Sequence, residues 1–466
     1  MTEKEYLWTA EEAIEATGGK SSQKWQANGL SIDSRVITEG DIFVALKGET
    51  SDGHEYLKEA KNKGAAAAIV THVPEKFKDL EMPYLIVPDV LGALVMLAKY
   101  RRKQIKGKII GITGSVGKTS IKEGITSVLS KFGRTHSSSG NFNNHIGMPL
   151  SMARMPKDTE FGIFEMGMSA PGEIIHLSKI AEPDITIVNN VYGMHLEFFN
   201  SIEDIAREKS TIFDGLKSGG TAIYLEDSPY REILSKKASE DKSRKIISFG
   251  KSEKANVILT NRKSTAEGEN IECKIDGETF SYSIKAHGAH QAINSLAVIS
   301  LAKAAGIEIR RIIVAIEDYS AQKGRGKISN VKYHGKNFTL IDDSYNAGPD
   351  SMTAAFNVLK EIKHHSKSRT LALVGDMLEL GSTSEDLHRG LANAVIECEV
   401  DGVFTCGKLM KNLFEKLPKE KAEGHYNFPE EIMPDFEKYV KDGDVVLVKG
   451  SNGSKMWKIS EKLLGK

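Results

Sequence analysis

The sequence has few cysteines, no long apolar segment and no excess of charge of one sign. Its 466 residues include three cysteines, which stand far apart at Cys273, Cys398 and Cys406. An odd number of widely spaced cysteines without a C-x-x-C pair argues against a disulfide framework and against a zinc site. We therefore expect reduced thiols in a cytoplasmic protein.

Two further absences narrow the class of protein. Lys+Arg and Asp+Glu are equal at 63 each, so the charge balance gives no reason to expect nucleic acid or an anionic membrane as a partner. No apolar run is long enough to cross a bilayer, and the acidic N-terminus lacks the features of a signal peptide. We expect no nucleic-acid partner and no membrane insertion.

The most informative stretch that is present is GITGSVGKTS, at residues 111–120. It follows a predicted strand at 108–112 and precedes a predicted helix at 121–132. A strand, a glycine-rich turn ending in Gly-Lys-Thr and a helix form a cradle for phosphate groups, because backbone N–H groups and the helix N-terminus face the phosphate oxygens. Lys118 would then reach the β- and γ-phosphates, and Thr119 would offer its hydroxyl to Mg²⁺.

The spacing of this cradle departs from the common G-x-x-x-x-G-K-[ST] pattern. Ile112 occupies the position of the first glycine, and Gly111 lies one residue earlier. The alternative, a glycine-rich turn before a surface helix, is disfavoured because the strand–turn–helix order is the context that the motif requires.

Alternating strand and helix patterns predict an α/β protein of three domains. We expect a small N-terminal α/β domain over residues 1–104, a central P-loop ATPase-type parallel sheet over 105–321 and a C-terminal Rossmann-like doubly wound sheet over 322–466. The basic stretch at 101–106 is expected to be a solvated linker. Residues 227–285, which are strand-like and rich in lysine, are expected to form an insertion or a peripheral sheet.

Polar residues follow the predicted strands of the central domain, where doubly wound sheets bind ligands. Glu165 ends a strand, and a carboxylate beside a phosphate cradle suits Mg²⁺, which prefers hard oxygen ligands. His195 follows the next strand, and Lys209 lies on the helix after it. From composition alone, a structural role explains His195 about equally well, and an exposed helical lysine explains Lys209 better.

Two other polar groups suggest substrate contacts. Asn143 and Asn144 lie in a loop rich in hydrogen-bonding groups, which suits a polar substrate or ordinary turn chemistry. Arg35 precedes a predicted strand of the N-terminal domain and Lys47 lies near the end of that strand, and both could bind an anionic group. From composition alone, solvated surface charge explains Arg35 and Lys47 better than anion binding does.

These stretches resemble the Mur ligase family over essentially the whole chain. The cradle at 113–119 is similar to the family's own form, which carries the same shift of the first glycine. Further similar stretches are NNHIG at 143–147, EMG at 165–167, HQAIN at 290–294 and KGR at 323–325. DDSYNA at 342–347 and GDMLELG at 375–381 resemble the branch that adds D-alanyl-D-alanine more than the branches that add a single amino acid.

Two stretches depart from the family pattern. The usual Asn-Ala-Asn-Pro reads NAGP at 346–349, so any contact from the second Asn side chain is lost at Gly348. GMSA at 167–170 replaces the Gly-Ala-Asn or Gly-Met-Asn that the branch often carries. Neither change lies at a position expected to bind phosphate or metal, so both concern how the enzyme contacts its substrates.

The resemblance implies an ATP-dependent amide ligase of peptidoglycan precursor synthesis, monomeric and using ATP and Mg²⁺. It would join D-alanyl-D-alanine to UDP-N-acetylmuramoyl-tripeptide through an acyl phosphate, giving UDP-N-acetylmuramoyl-pentapeptide, ADP and phosphate. The N-terminal domain would bind the UDP-linked substrate and the central domain ATP. The C-terminal domain would close over ATP and bind the dipeptide. The third residue of the acceptor peptide is left open between diaminopimelate and lysine.

The resemblance also implies site residues, carried over by position. ATP would contact Thr113, Gly114, Ser115, Val116, Gly117, Lys118, Thr119, Asn294, Arg325, Asp342 and Tyr345. The metal ions would be held by Thr119, Glu165, His195 and a carbamylated Lys209, in which a cation becomes an oxygen ligand. The catalytic set would be Lys118, Glu165, His195 and Lys209. The substrates would be contacted by Ser31, Arg35, Lys47, Asn143 and Asn144.

Two alternatives stay open at this point. The first is a related ligase of the same family that adds a single amino acid, or glutamates to a folate. The second, of a different class, is a nucleotide-dependent switch or binding protein that hydrolyses ATP only to change shape. An assay with a panel of amine acceptors distinguishes a ligase for single amino acids or glutamates from a ligase for the dipeptide. Formation of an amide product that depends on the substrates excludes a nucleotide switch.

Overall fold

The computed structural model describes residues 6–194 and 196–465. The chain forms three successive α/β units, each around its own sheet, and this confirms the predicted fold class. Short 3-10 helices occur at Ser34–Val36, Gly53–Tyr56, Glu75–Phe77, Leu196–Phe198, Thr211–Gly215, Gly381–Thr383 and Asn452–Ser454. None of the described helices is long and apolar enough to cross a membrane.

The N-terminal unit contains a five-stranded sheet in the order β2-β7-β6-β5-β4 and a separate pair, β1 and β3. Its strands are β1 Trp8–Thr9, β2 Lys20–Ser21, β3 Gln26–Ala27, β4 Gly29–Ser31, β5 Asp41–Val44, β6 Ala67–Val70 and β7 Tyr84–Ile86. Its helices are α1 Ala10–Thr17, α2 Leu57–Asn62 and α3 Val90–Gln104. The central strands β5 and β6 are wholly buried, as expected of parallel strands covered on both faces.

The central unit has a nine-stranded sheet in the order β16-β15-β14-β13-β12-β11-β8-β10-β9. Its strands are β8 Lys108–Thr113, β9 Thr135–Ser137, β10 Phe161–Glu165, β11 Ile185–Val188, β12 Thr221–Leu225, β13 Lys245–Gly250, β14 Val257–Ser264, β15 Glu269–Ile275 and β16 Glu278–Ile284. Its helices are α4 Lys118–Leu129, α5 Gly147–Ala153, α6 Glu173–Ala181, α7 Ile202–Ser210, α8 Arg231–Ala238, α9 Ala289–Ala304 and α10 Ile309–Ile316.

Helices cover both faces of this sheet. Neighbouring residues of β8 point to opposite sides, so that Ile109 joins one buried cluster and Ile110 the other. Helices α4 and α9 pack on the side of Ile110, and helices α6 and α7 pack on the side of Ile109. The carboxyl ends of the parallel strands β8, β10 and β11 therefore meet at one edge, where the cradle lies.

The region at 227–285 is part of the central sheet, which refines the prediction of an insertion or peripheral sheet. Strand β13 pairs in parallel with both β12 and β14, and β14, β15 and β16 then pair antiparallel. The alternation of buried and exposed residues along β15 shows that one face packs on the core while Asn270 and Lys274 face solvent.

The C-terminal unit has a six-stranded sheet in the order β17-β18-β22-β19-β20-β21. Its strands are β17 Lys327–Tyr333, β18 Lys336–Asp343, β19 Thr370–Gly375, β20 Gly402–Cys406, β21 Ala422–Tyr426 and β22 Val445–Lys449. Its helices are α11 Pro349–Ser366, α12 Ser384–Glu397, α13 Lys411–Lys416, α14 Pro429–Tyr439 and α15 Trp457–Leu463. The two edge strands β17 and β21 are not among the predicted strands, because few of their residues are buried.

The prediction of a solvated linker at 101–106 is wrong for the first two residues, which lie in α3, whereas Lys103 and Lys106 are exposed. Arg101 and Arg102 are buried, with 0% and 2% of their surface exposed. The guanidinium of Arg101 lies over the ring of Trp8, 4.4 Å from its centroid. A run of charges cannot reveal this packing, since the apolar stem of arginine buries as readily as an aliphatic side chain when its head finds partners.

Arg102 finds those partners at the C-terminal end of α6. It donates hydrogen bonds to the carbonyl oxygens of Ala181 and Glu182, and its Nη2 lies 3.0 Å from Oδ2 of Asp184. The last carbonyls of a helix lack partners within the helix, and a guanidinium satisfies several of them together. Arg102 thereby fastens the N-terminal unit to the central unit.

Arg102→Met should therefore destabilise the protein by about 3 kcal/mol, because it removes the cation beside the carboxylate of Asp184 and the donors to the helix-end carbonyls. Urea denaturation of the full chain, followed by circular dichroism, measures the change. Lys103→Met is the matched control, since Lys103 is the exposed neighbour on the same helix. Equal effects of the two substitutions would contradict the assigned role of Arg102.

Candidate active site

The phosphate cradle lies between β8 and α4, and α4 begins at Lys118, earlier than the predicted start at 121. Gly117 adopts a left-handed conformation with φ of +82°. A Cβ atom at this position would lie 2.9 Å from Nδ2 of Asn189 and 3.0 Å from Oδ1 of Asn294. Glycine is required here by both the backbone and the neighbouring side chains.

Two asparagines at the end of β11 hold the cradle, and the sequence analysis did not identify them. Oδ1 of Asn190 accepts the N–H of Val116 at 2.9 Å, and its Nδ2 donates to the carbonyl of Val116 at 2.9 Å. Nδ2 of Asn189 donates to the same carbonyl at 3.0 Å. Their position directly after a strand of the ligand-binding edge was the available signal.

Lys118 lies at the centre of the cradle. Its Nζ donates to the carbonyl oxygens of Gly114 at 2.7 Å and Ser115 at 3.2 Å, which curls the side chain back over the loop. Burial lowers the pKa of the ammonium group, and the nearby charge of Glu165 opposes that shift. The position is the one that the motif assigns to the lysine that binds phosphate.

A buried carboxylate stands at the foot of the cradle. Glu165 ends β10 and is 3% exposed. Thr119 Oγ1 donates to its Oε2 at 2.8 Å, and Asn143 Nδ2 donates to its Oε1 at 2.9 Å. The structure therefore brings together three of the predicted residues, and their hydroxyl and carboxylate oxygens are the hard ligands that Mg²⁺ prefers.

Lys209 is buried on α7, which rules out the interpretation as an exposed helical lysine. Burial sets the pKa of its amine well below the ordinary range, and the charge of Lys118 lowers it further, while Glu208 acts in the opposite direction. A lysine whose pKa is lowered loses its proton at a lower pH than an exposed lysine does, and its neutral amine is a nucleophile. The predicted metal ligand His195 lies outside the described residues.

A cavity of about 900 Å³ separates the central and C-terminal units. The cradle forms one wall of the cavity. The loop that follows β18 and the helix α11 form the opposite wall. Asn294 lines it from α9, and Arg325 and Tyr345 line it from the C-terminal side. The guanidinium of Arg325 lies 3.9 Å from the centroid of the Tyr345 ring, so the two form a flat cationic surface.

Asp342 is placed differently from the other predicted nucleotide contacts. Its buried carboxylate accepts the N–H of Gly324 at 2.9 Å and the hydroxyl of Ser344 at 2.6 Å, and it does not line the cavity. It braces the segment that carries Arg325 and Tyr345. A direct contact between Asp342 and ATP stays a prediction.

Lys449 is a third residue that the sequence analysis did not select. Its Nζ donates to Oδ2 of Asp343 at 2.7 Å and to the carbonyl of Asn346 at 2.9 Å. These residues line the cavity on the C-terminal side. The signal was the polar end of β22, which lies beside β18 in the sheet.

The predicted substrate contacts divide into two groups. Asn143 and Asn144 line the cavity, and Asn144 also borders a smaller pocket of about 320 Å³. Ser31, Arg35 and Lys47 lie in the N-terminal unit and do not line the cavity. Ser31 is buried, whereas Arg35 is exposed and pairs with Asp33 at 2.8 Å. Lys47 is exposed as well.

Comparison with known proteins identifies the family. Three family models match in succession, namely the Mur ligase family catalytic domain at residues 26–102, the Mur ligase middle domain at 112–302 and the Mur ligase glutamate ligase domain at 326–452. The UDP-N-acetylmuramoyl-tripeptide–D-alanyl-D-alanine ligase of Rickettsia prowazekii is 34% identical over 454 residues, which cover 97% of this chain and 99% of that protein.

The chain belongs to the Mur ligase family. Among solved structures, MurF from Acinetobacter baumannii superposes with a TM-score of 0.86 at 29% identity, covering 98% of this chain and 99% of that chain. The MurF ligase of Thermotoga maritima in complex with ADP gives a TM-score of 0.79 at 28% identity, covering 93% and 96%. The resemblance inferred from the motifs is thereby confirmed for this Mur ligase.

The structure explains the departure of this Mur ligase at Gly348. The residue lies in extended backbone before α11, where any side chain is conformationally allowed. Space is the limit, because a Cβ atom would overlap Sδ of Met194, which belongs to the central unit. Met194 is 6% exposed and fills the place that a larger residue at 348 would need.

Gly348→Asn should therefore destabilise the protein by about 1–3 kcal/mol, the usual cost of overpacking a filled site. Thermal unfolding of the full chain measures the effect. The same substitution should cost much less in a Met194→Ala background, where space is available. Gly390→Asn is the control, since nothing lies within 4 Å of a Cβ atom there. An equal cost of Gly348→Asn in both backgrounds would refute the explanation.

Proposed function

We propose that this Mur ligase joins D-alanyl-D-alanine to UDP-N-acetylmuramoyl-tripeptide in an ATP-dependent reaction that gives UDP-N-acetylmuramoyl-pentapeptide, ADP and phosphate. The observation that carries the proposal is the cavity between two sheets, with a phosphate cradle on one side and an Arg–Tyr surface on the other. The Rickettsia prowazekii relative bears the name of this activity, and the Thermotoga maritima relative was solved with ADP.

The chemistry explains the need for a phosphate cradle. An amine does not displace oxide from a carboxylate at neutral pH. Transfer of the γ-phosphoryl group to the carboxylate gives an acyl phosphate, which has a good leaving group. The amine of D-alanyl-D-alanine then attacks the acyl carbon, the tetrahedral intermediate expels phosphate, and the amide forms with loss of a proton. Lys118 stabilises the negative charge of the transferring phosphoryl group.

The residues at the foot of the cradle suit Mg²⁺. Thr119 and Glu165 would hold the ion through their hydroxyl and carboxylate oxygens, and Asn143 fixes the orientation of that carboxylate. When bound, Mg²⁺ neutralises charge on the phosphate oxygens. Lys209 would add oxygen ligands after its neutral amine reacts with carbon dioxide to form a carbamate and release a proton. His195 would complete the set.

The domains divide the task. We propose that residues 1–104 bind the UDP-linked substrate through Ser31, Arg35 and Lys47, and that residues 105–321 bind ATP. Residues 322–466 would close over ATP and bind the dipeptide, and closure would exclude water that otherwise hydrolyses the acyl phosphate. We place the enzyme in the cytoplasm, where ATP is available and where the three buried cysteines stay reduced.

Phosphate release should depend on both substrates. With ATP and Mg²⁺ present, we expect rapid release only when UDP-N-acetylmuramoyl-tripeptide and D-alanyl-D-alanine are supplied together, and mass spectrometry should detect the pentapeptide product. Single amino acids supplied in place of the dipeptide should give little product. A preference for a single amino acid would assign the enzyme to another branch of the family.

Lys118→Met serves as the negative variant in the same assay, and we expect a loss of about 100-fold or more in kcat, because one charge that stabilises the transition state is removed. Lys108→Met is its control, since Lys108 is exposed at the other end of the same strand. ATP turnover that is indifferent to both substrates would contradict the proposal and favour a nucleotide switch.

A further inference from the structure

A second contact between the central and C-terminal units lies beside the cavity. We call it the α9–α11 seam and define it by Arg262 on β14, Glu269 on β15, Gly288 before α9, and Val358 and Glu361 on α11. Arg262 and Glu269 have no part in the proposed chemistry, and neither lines the cavity.

Arg262 bridges the two units through both ends of its guanidinium. Its Nη2 lies 2.5 Å from Oε1 of Glu361 and its Nη1 lies 3.2 Å from Oε2, so the pair is bidentate. Nη1 also lies 3.2 Å from Oε1 of Glu269 in the central unit. The side chains of Arg262 and Glu361 are 22% and 25% exposed, which sets them apart from a freely solvated surface pair.

The same cluster fixes the start of α9. Glu269 is buried, and its Oε1 accepts the N–H of Gly288 at 2.7 Å. Gly288 has φ of +101°, and a Cβ atom there would lie 2.7 Å from Cγ2 of Val358. The absence of a side chain at 288 thus lets α11 approach the first turn of α9. Val358 and Glu361 lie on one face of α11 because they are three residues apart.

The two helices that meet at the seam also form walls of the cavity. Helix α9 carries His290 and Asn294 to it, and α11 carries Asp350 and Ala354 to it. A shift of α11 away from Gly288 would therefore widen the cavity and separate its two walls. The seam links the position of the C-terminal unit to the geometry at the nucleotide.

We propose that the ion pair between Arg262 and Glu361 is a latch that holds the C-terminal unit against the central unit and thereby sets nucleotide affinity. Arg262 is a positioning residue, since it acts through the placement of α11. Only the identity of the nucleotide rests on the proposed function. When a binding-competent arrangement becomes less populated, the apparent dissociation constant rises in inverse proportion to its population.

The test is a double-mutant cycle on nucleotide binding with Arg262→Gln, Glu361→Gln and the double variant. Isothermal titration of the full chain with a non-hydrolysable ATP analogue gives Kd for each protein. We expect each single variant to raise Kd by about 3- to 10-fold, as for loss of a partly buried bidentate pair. The double variant should resemble Arg262→Gln, because the contact that Glu361→Gln removes is already lost in that variant.

Glu361 lines the cavity, so direct contact with the nucleotide is the competing explanation. In that case Glu361→Gln would raise Kd by the same factor with or without Arg262→Gln, and this additive result would overturn the proposal. Glu278→Gln is the control, because it removes an exposed pair with Arg310 at 3.7 Å within the central unit. We expect it to leave Kd unchanged.

Small-angle X-ray scattering of the same variants without nucleotide gives a readout that needs no activity. Loss of the latch should increase the radius of gyration of both single variants relative to the original chain and to Glu278→Gln. An unchanged radius in Arg262→Gln would overturn the proposal. Neither measurement requires an amide product. If the chain binds nucleotide but makes no amide, the ligase assignment fails while the latch can still be tested.

Discussion

The site depends on one buried carboxylate, that of Glu165. It lies at the end of β10 beside the phosphate cradle, where Thr119 and Asn143 each donate to one of its oxygens. Burial of a charged group is costly unless hydrogen bonds and opposite charges compensate. Here the compensation comes from groups to which we assign phosphate and metal binding under the proposed function. The negative charge of Glu165 supports the ammonium form of Lys118, whose pKa burial would otherwise lower further.

The division into units follows from the reaction. An acyl phosphate must be made from one substrate, protected from water and then reached by an amine from another. A single sheet offers one ligand-binding edge. Two sheets whose strand ends face one cavity offer two such edges, and the closure that we propose would act on the space between them. The cradle at the end of β8 and the Arg325–Tyr345 surface before α11 occupy these two edges.

Much of the fold and part of the site could be predicted from the sequence. Two local features were predicted correctly, namely the strand–turn–helix order around Lys118 and the position of Glu165 at a strand end. Both follow from the hydrophobic periodicity of strands and helices, which short stretches of sequence show. Asn190 was missed because an asparagine after a strand is also ordinary turn chemistry. The pairing of Arg262 with Glu361 joins residues that are far apart in the chain, and no local pattern marks such a contact. The burial of Arg102 was hidden by the charged residues around it.

The measurement that tests the account most directly follows oxygen through the reaction. The tripeptide substrate is prepared with ¹⁸O in its terminal carboxylate, and the phosphate released during turnover is analysed by mass spectrometry. If the carboxylate attacks the γ-phosphoryl group and phosphate leaves from the acyl carbon, one ¹⁸O atom appears in each phosphate. Phosphate that instead takes its new oxygen from water, with no label from the tripeptide, would contradict an acyl-phosphate ligase.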